Sequence, residues 1–417
     1  MSEAASIADP ALQDGTQAPR RRKVGPVLAV LSSFQLATVI FFFLLLLTLF
    51  GTLAQVEIGI QDVIEIYFTS WYVLQEIPIK FGGEEVFNLV IPLPGGAPLS
   101  ILLFFNILIG GLLRLRANWR KVGVIISHFS VLVLLAGGFI AHQFSILGSM
   151  VVDEGGRTNV FRDFHLWDIE VVRWTGKDAG EKAFILPEEQ VRPLKDDRSR
   201  TFFSQDIPFE IKVSNYNRNS RVVGTGMDNG RHLQLLGQRD AKEAERNVPG
   251  AEVEVINKDG ITIAEGILWG AGEFPLTFEA GGETYGISYN RRTYTTTFTV
   301  VLDDFVKENY PGVARAKSYR SSVRKLKEGI EEPAVIKMNH PLRDDGYAIF
   351  QADYGPKDVP VGEETYSVFQ VAKNPTDHLP LVVCVVIGIG LLIHYCIILF
   401  RFLDRSSAKK TGAPTAA

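Results

Sequence analysis

Cysteine is almost absent from this chain. Its two cysteines, Cys384 and Cys396, both lie inside the last apolar run. Twelve residues apart on a helix, they stand about 18 Å from each other, too far for a mutual disulfide. No Cys-x-x-Cys occurs, which excludes a thioredoxin-like dithiol and covalent c-type haem attachment. A basic surplus is also missing: 43 Lys and Arg against 47 Asp and Glu give a net charge of −4, so the chain carries no electrostatic footprint for nucleic acid. There is no P-loop, no glycine-rich turn opening a helix, and no Ser–His–Asp order. No His-x-x-x-His or His-Glu-x-x-His spacing links the histidines. A self-contained hydrolase or kinase is therefore not expected. His165, His232 and His340 read as ordinary β-domain or loop residues.

What is present in quantity is apolar sequence, gathered into four runs. Residues 1–23 form a polar tail, disordered by composition, that ends in Arg20, Arg21, Arg22 and Lys23. A first span over 27–50 follows, too long for a signal-peptide core. The loop at 54–98 carries the stretch VIEIYFTSWYVL. Tyr67, Phe68, Trp71 and Tyr72 suit the headgroup layer there, and the stretch reads as an interfacial helix, with a packed hairpin lid as the alternative. Further spans are expected at 99–113, 122–147 and 379–400, the first three making up a membrane part over 24–148. Basic clusters precede the first span, fill the turn between the second and third (Arg114, Arg116, Arg120, Lys121), and follow the fourth (Arg401, Arg405, Lys409, Lys410). By the positive-inside rule all three face the cytoplasm. Both termini, including the tail at 401–417, are then inside, and residues 149–378 are outside.

The outside segment reads as β. Alternating or β-branched runs occur at 166–174, 209–215, 253–256, 261–268, 283–288, 293–302, 335–339, 347–354 and 365–373, separated by Gly, Asn, Asp and Pro turns. Loops are expected near 187–204 and 216–250, and a short helix within 306–330. The fold class is thus a mixed membrane protein. Four transmembrane α-helices, three N-terminal and one C-terminal, flank a large extracytoplasmic all-β, sandwich-like domain inserted between helices three and four. No cysteine staples that domain, and some 230 residues allow it a core that needs none.

Four of the seven histidines belong to the membrane part: His128, His142, His378 and His394. An ionisable side chain in a span is a functional-site hypothesis by default. His128 and His142 are 14 residues apart, which places them about 40° apart around one helix and about 21 Å apart along it. Ala136, Gly137 and Gly138 between them let a neighbouring helix or a flat cofactor come close. By depth, His128 matches His394 and His142 matches His378. Two imidazoles facing each other across helices suit bis-histidine haem ligation, and the 14-residue spacing is similar to that of dihaem b-type cytochromes. A histidine that only hydrogen-bonds a neighbouring helix is the alternative at each position. His378 and His394, sixteen residues apart, differ by about 160° around a helix and share a face only if Pro380 redirects the chain.

At this point the chain resembles a known family. Span one closing in GTLAQ, the stretch SHFSVLVLLAGGFIAHQFSILGSMVVDEGG, the segment FTVVLDDFVKENYPGVARAKSYRSSV, and FQVAKNPTDHLPLVVCVVIGIGLL occur in the order found in ResB, also called CcsB. The most specific segment is IKMNHPLRDDGYAIFQADYG, with Asn339, Pro341, Leu342, Gly346, Tyr347, Gln351 and Tyr354 in register. ResB is the cytochrome c biogenesis protein of the System II pathway. The resemblance implies a bacterial inner-membrane protein that works with a CcsA (ResC) partner. Together they carry haem b across the membrane and present it to apocytochrome c. It also implies that His128 is an axial ligand to the haem iron, the second ligand coming from the partner; it carries over nothing to His142, His378 or His394. The partner's tryptophan-rich loop is missing, since Trp71, Trp119, Trp167, Trp174 and Trp269 are scattered, so this chain alone is not the whole synthase. Thr376 stands where the family has Gly after Asn-Pro.

Three functions are therefore in play. The first is the ResB half of a cytochrome c synthase, a non-catalytic or site-sharing subunit. The second is a ResB-like dihaem electron carrier using all four membrane histidines. The third is a cofactor-free anchor.

Overall fold

The computed structural model describes residues 25–81, 84–115, 118–174, 180–196, 198–224, 233–312, 316–356 and 365–410. His232 lies outside them. Among the described residues, four helices are long and apolar enough to cross a bilayer: Phe34–Ala54, Gly96–Leu113, Trp119–Phe144 and Leu379–Ser407, here the first to fourth spans. Large apolar side chains stand bare on them, Phe34, Leu45, Phe139 and Phe400 among them, as hydrocarbon rather than water would require.

The spans differ in detail from the apolar runs. The first run is broken at Ser32–Ser33, between a short helix at Pro26–Leu31 and the span itself. The third helix ends at Phe144, and Ile146 already begins a strand, so the helical span expected to reach 147 is shorter. The helix of the fourth span continues to Lys410. The aromatic stretch after the first span is helical only over Ile60–Phe68. Its second half enters a hairpin of β1 (Tyr72–Phe81) and β2 (Glu84–Pro94). Both expectations for this stretch thus hold in part.

Between the third and fourth spans the described residues form sixteen more strands. In chain order these are β3 (Ile146–Asp153), β4 (Arg157–Trp174), β5 (Glu181–Pro187), β6 (Ser199–Phe202), β7 (Phe209–Asn217), β8 (Ser220–Gly224), β9 (Leu233–Gly237) and β10 (Gly250–Asn257). They continue as β11 (Thr262–Trp269), β12 (Leu276–Ala280), β13 (Glu283–Asn309), β14 (Ala316–Lys327), β15 (Ile330–Lys337), β16 (Leu342–Asp344), β17 (Tyr347–Gly355) and β18 (Tyr366–Lys373). The large sheet runs β15-β14-β13-β4-β3-β18-β17-β16, with β12 on β13 and β5 on β4; a second sheet runs β11-β10-β7-β6. All its pairings are antiparallel, so hairpins suffice to connect most of them.

Two long strands, β4 and β13, pass through two cores. In the first, Ile169, Val171, Tyr285 and Ile287 face Ile211, Val213, Val253 and Val255 of the second sheet, the two-layer packing of a sandwich. In the second, Met150, Phe161, Val300, Val323, Ile336, Ile349 and Phe369 meet inside the curled remainder of the large sheet. That sheet curls until its ends approach: Ser321 of β14 donates to Gln351 Oε1 of β17 at 2.6 Å and lies 2.8 Å from the Ser367 hydroxyl of β18. Where β4 and β13 pass from one core to the other, residues 163–166 bulge out opposite Arg292. Asp163 caps the bulge by accepting the His165 and Leu166 N–H groups, and Arg291 satisfies the carbonyls of Asp163 and Phe164.

The helix expected within 306–330 is replaced by the end of β13 and by β14. Ser321 and Val323 are buried while Arg320, Ser322 and Arg324 around them are not, and that two-residue period belongs to a strand.

The described residues form two compact units. One comprises Met1–Leu45, Pro98–Leu132 and Cys384–Ala417; the other comprises Leu46–Ala97 and Val133–Val383. In the first, the break at Ser32–Ser33 is stabilised by the second span. Asn106, buried, donates to Leu31 O at 2.8 Å and to Ser33 O at 3.0 Å. Carbonyls freed by a helix break find no water in hydrocarbon; Asn106 gives the Leu31 carbonyl a donor and the Ser33 carbonyl a second one beside the Ala37 N–H at 3.5 Å. Arg114 hydrogen-bonds the Ser32 hydroxyl. In the second unit, the loop after the first span is tied to the β domain by Arg218, whose Nη1 lies 2.7 Å from Asp62 and 3.3 Å from Asp240.

Candidate functional site

His128 sits in the second turn of the third span, half-buried. Its Nδ1 lies 3.0 Å from the Val124 carbonyl one turn earlier. A carbonyl only accepts, so this contact places the proton on Nδ1 and leaves the Nε2 lone pair free, the tautomer a metal-ligating imidazole needs. Nε2 has no hydrogen-bond partner among the described residues. The ring packs on Gly111 of the second span: a Cβ built there would stand 3.0 Å from His128 Cδ2 and 3.1 Å from Cγ. Gly111 lies in a π-helical turn, Ile107–Leu113, an irregularity often found at functional sites. A glycine in a widened turn therefore makes the room in which this imidazole lies.

His394 is in the same unit, and its surroundings differ. The fourth span crosses the third at Gly123, where an added Cβ would meet Gly390 O at 2.3 Å and His394 N at 2.7 Å. On the other side, a Cβ at Gly390 would meet Ser127 Oγ at 2.7 Å. Small residues on both helices thus permit a close crossing. Val124, which holds His128, adjoins Gly123, which holds the His394 backbone. The His394 Nδ1 is buried without a hydrogen-bond partner among the described residues.

His142 and His378 belong to the other unit, and both are exposed. His142 lies in the last turn of the third span, the end where a helix favours positive charge. His378 precedes the fourth span, and its Nε2 is 3.9 Å from Asp377 Oδ2, beyond hydrogen-bond range. Nearby, Thr376 Oγ1 reaches the Gly137 carbonyl at 3.4 Å, and a Cβ at Gly137 would strike Leu379. The small-residue stretch read from the sequence thus receives the start of the fourth span at Gly137. Thr376, the departure from the family pattern, makes a hydrogen bond that glycine could not.

Among the described residues no three metal-ligating side chains converge. An axial haem ligand needs only one imidazole per face, and His128 offers an imidazole with its tautomer set by Val124 O and no partner on Nε2 among the described residues.

Residues 274–362 match the ResB-like family. The chain carries a ResB-like segment. It runs from just before β12 to just beyond β17, and the motif residues that carried the resemblance turn out to hold this sheet together. Asn339 adopts φ +63° in the turn from β15 to β16, and Asp345 and Gly346 adopt φ +46° and +76° in the next turn. Tyr347 is buried in the second core, its hydroxyl 3.3 Å from Thr295 O. Gln351 joins the Ser321–Ser367 pair that brings the sheet ends together. Tyr354 stacks on Phe305 at 5.0 Å. None of the membrane histidines falls in the ResB-like segment. No curated protein matches the chain.

Two contributors escaped the sequence reading. Asn106 was detectable as the one amide in the second apolar run, 99–113. Gly111 was one glycine among many, since nothing local marks a glycine whose neighbour is a distant histidine.

Proposed function

We propose that this chain is the ResB half of a System II cytochrome c synthase. It works with a CcsA/ResC-like membrane protein to carry haem b across the bacterial inner membrane and present it to apocytochrome c. Its termini are cytoplasmic and its β domain is periplasmic. The observation that carries this reading is His128: an intramembrane imidazole with Nδ1 engaged and Nε2 free, packed on Gly111, in a chain with a ResB-like segment. Haem is the cargo, His128 supplies one axial ligand, and the partner supplies the other. With its tryptophans scattered rather than gathered in the partner's tryptophan-rich loop, this chain leaves attachment to a site that the partner completes. The test is the absorption spectrum of the detergent-purified complex with a CcsA-like partner. A b-type spectrum lost on His128→Ala supports the reading, and full retention of haem overturns it.

A second reading, the dihaem electron carrier, has one observation in its favour, the buried unpartnered Nδ1 of His394. It requires two haems in the chain purified without a partner and their reversible reduction by quinol.

A further inference from the structure

The motif segment does more than hold the sheet. The left-handed turn at Asp345 and Gly346, together with the chain from Asn374 to the start of the fourth span, encloses an open cavity of about 620 Å³. Its wall is mainly apolar, with Tyr347, Pro375, Leu379 and Val382, and its polar groups include Arg343, Asp377 and His378. The acidic turn is tied to two lysines: Asp344 pairs with Lys325 and Lys327, and Asp345 pairs with Lys327 and accepts the Thr297 hydroxyl. What remains is a guanidinium paired with one carboxylate, Arg343 with Asp377, beside an imidazole whose side chain is 76% exposed and makes no hydrogen bond among the described residues.

An apolar shelf, a cation at its edge and a free imidazole make an unusual combination, and it has a specific complement. A planar apolar macrocycle covers the shelf, its carboxylates meet the guanidinium, and its iron takes the imidazole. The volume falls within the range of small-molecule sites. We propose that this cavity is a second haem station on the chain, with His378 as an axial ligand and Arg343 as the propionate contact. It rests on the haem-carrier reading above and deepens it. A propionate competes with Asp377 for Arg343, and an imidazole this exposed holds the iron without enclosing it. Both features suit a station that must release haem rather than keep it.

The experiment is optical titration of the full-length chain, purified in detergent without partner, with haemin and with haemin dimethyl ester. His378→Ala is expected to weaken haemin binding by at least about tenfold, the scale seen when support for a metal is removed. Arg343→Gln is expected to weaken haemin but not the dimethyl ester, which has no carboxylates for it to hold. Unchanged midpoints at neutral pH, with the β signal in circular dichroism intact, overturn the proposal. So does haemin binding that persists equally when His378 and His128 are both replaced. The two readings separate cleanly. If His128→Ala empties the co-expressed complex while His378→Ala leaves titration unchanged, only this station falls. If His128→Ala leaves the complex loaded, the earlier reading falls, and titration alone decides this one.

Discussion

Replacing Glu154 tests whether the Asp-Glu-Gly-Gly motif is a structural clamp. Glu154 lies just past β3, and its carboxylate reaches two other strands. Oε1 accepts the Phe305 N–H of β13 at 2.8 Å, and Oε2 accepts the Thr365 N–H ahead of β18 at 3.0 Å. Its own N–H donates to Thr365 O, Gly155 N to Leu302 O, and Leu302 N to Gly156 O. Gly155 is at φ +76°, where a side chain would be strained. One carboxylate thus locks the bulge in β13 to the start of β18. Two charge-assisted bonds of about 1.5 kcal/mol each, discounted for a half-exposed group, give about 2 kcal/mol for Glu154→Ala. In a domain of this size that lowers the midpoint by about 4–8 °C. Glu154→Gln keeps one acceptor but turns an amide N–H₂ toward a backbone N–H, so it should cost about half as much. The pH dependence has a definite sign. Partial burial pushes the Glu154 pKa up, but hydrogen bonds from Thr365 and Phe305 outweigh it and hold it below the ordinary 4.5. The clamp is therefore fully present above that value and fades as pH falls through the lowered one. Thermal unfolding of the detergent-solubilised chain, followed in the β region of circular dichroism, reads all of this. An E154A midpoint equal to wild type at neutral pH refutes the clamp.

Three further outcomes follow from contacts elsewhere. Asn106→Leu takes the side-chain donor from the Leu31 carbonyl and leaves the Ser33 carbonyl only the Ala37 N–H at 3.5 Å. Intramembrane bonds are worth about 0.6–1.7 kcal/mol each, so a loss of about 1–3 kcal/mol is expected in resistance to denaturing detergent. Gly111→Val drives a branched side chain into the His128 ring, and haem recovered with the co-purified complex should fall by about tenfold while the β signal stays unchanged. Arg218→Ala removes the cation between Asp62 and Asp240. Amide exchange over residues 56–62 should then accelerate, with exchange in β10 unaffected.

The four spans were legible because hydrocarbon demands a length of apolar sequence that little else requires. Their ends were not. Ser32–Ser33 break a run that stays apolar on average across them, and Ile146–Leu147 continue an apolar run that the backbone has already turned into strand. Periodicity cannot separate buried helix from strand over so few residues. The helix expected near 306–330 failed for a related reason. Lys, Arg and Glu are good helix formers, but Ser321 and Val323 sit on the inner face of β14, and their burial outweighs that preference. Eight of the nine sequence-level strand runs lie wholly within observed strands or overrun one by a single residue, because their alternation reports one buried face. The ninth, at 335–339, holds only to Lys337, where Asn339 turns the chain.

At the site, residue type was legible and environment was not. His128 announces itself as an imidazole in an apolar run, yet its fitness as a ligand depends on the Val124 carbonyl and on Gly111, and the second of these lies in another helix. The most recognisable motif works the other way. Asn339, Tyr347 and Gln351 look like a site because they are polar or aromatic in fixed order, and each one closes a turn, fills a core or joins the ends of a sheet. Among the described residues of that motif, Arg343 through Tyr347 border this cavity. A match over residues 274–362 therefore reports the sheet that holds this cavity, and the haem chemistry proposed for the chain stands or falls on His128 and His378, both outside it.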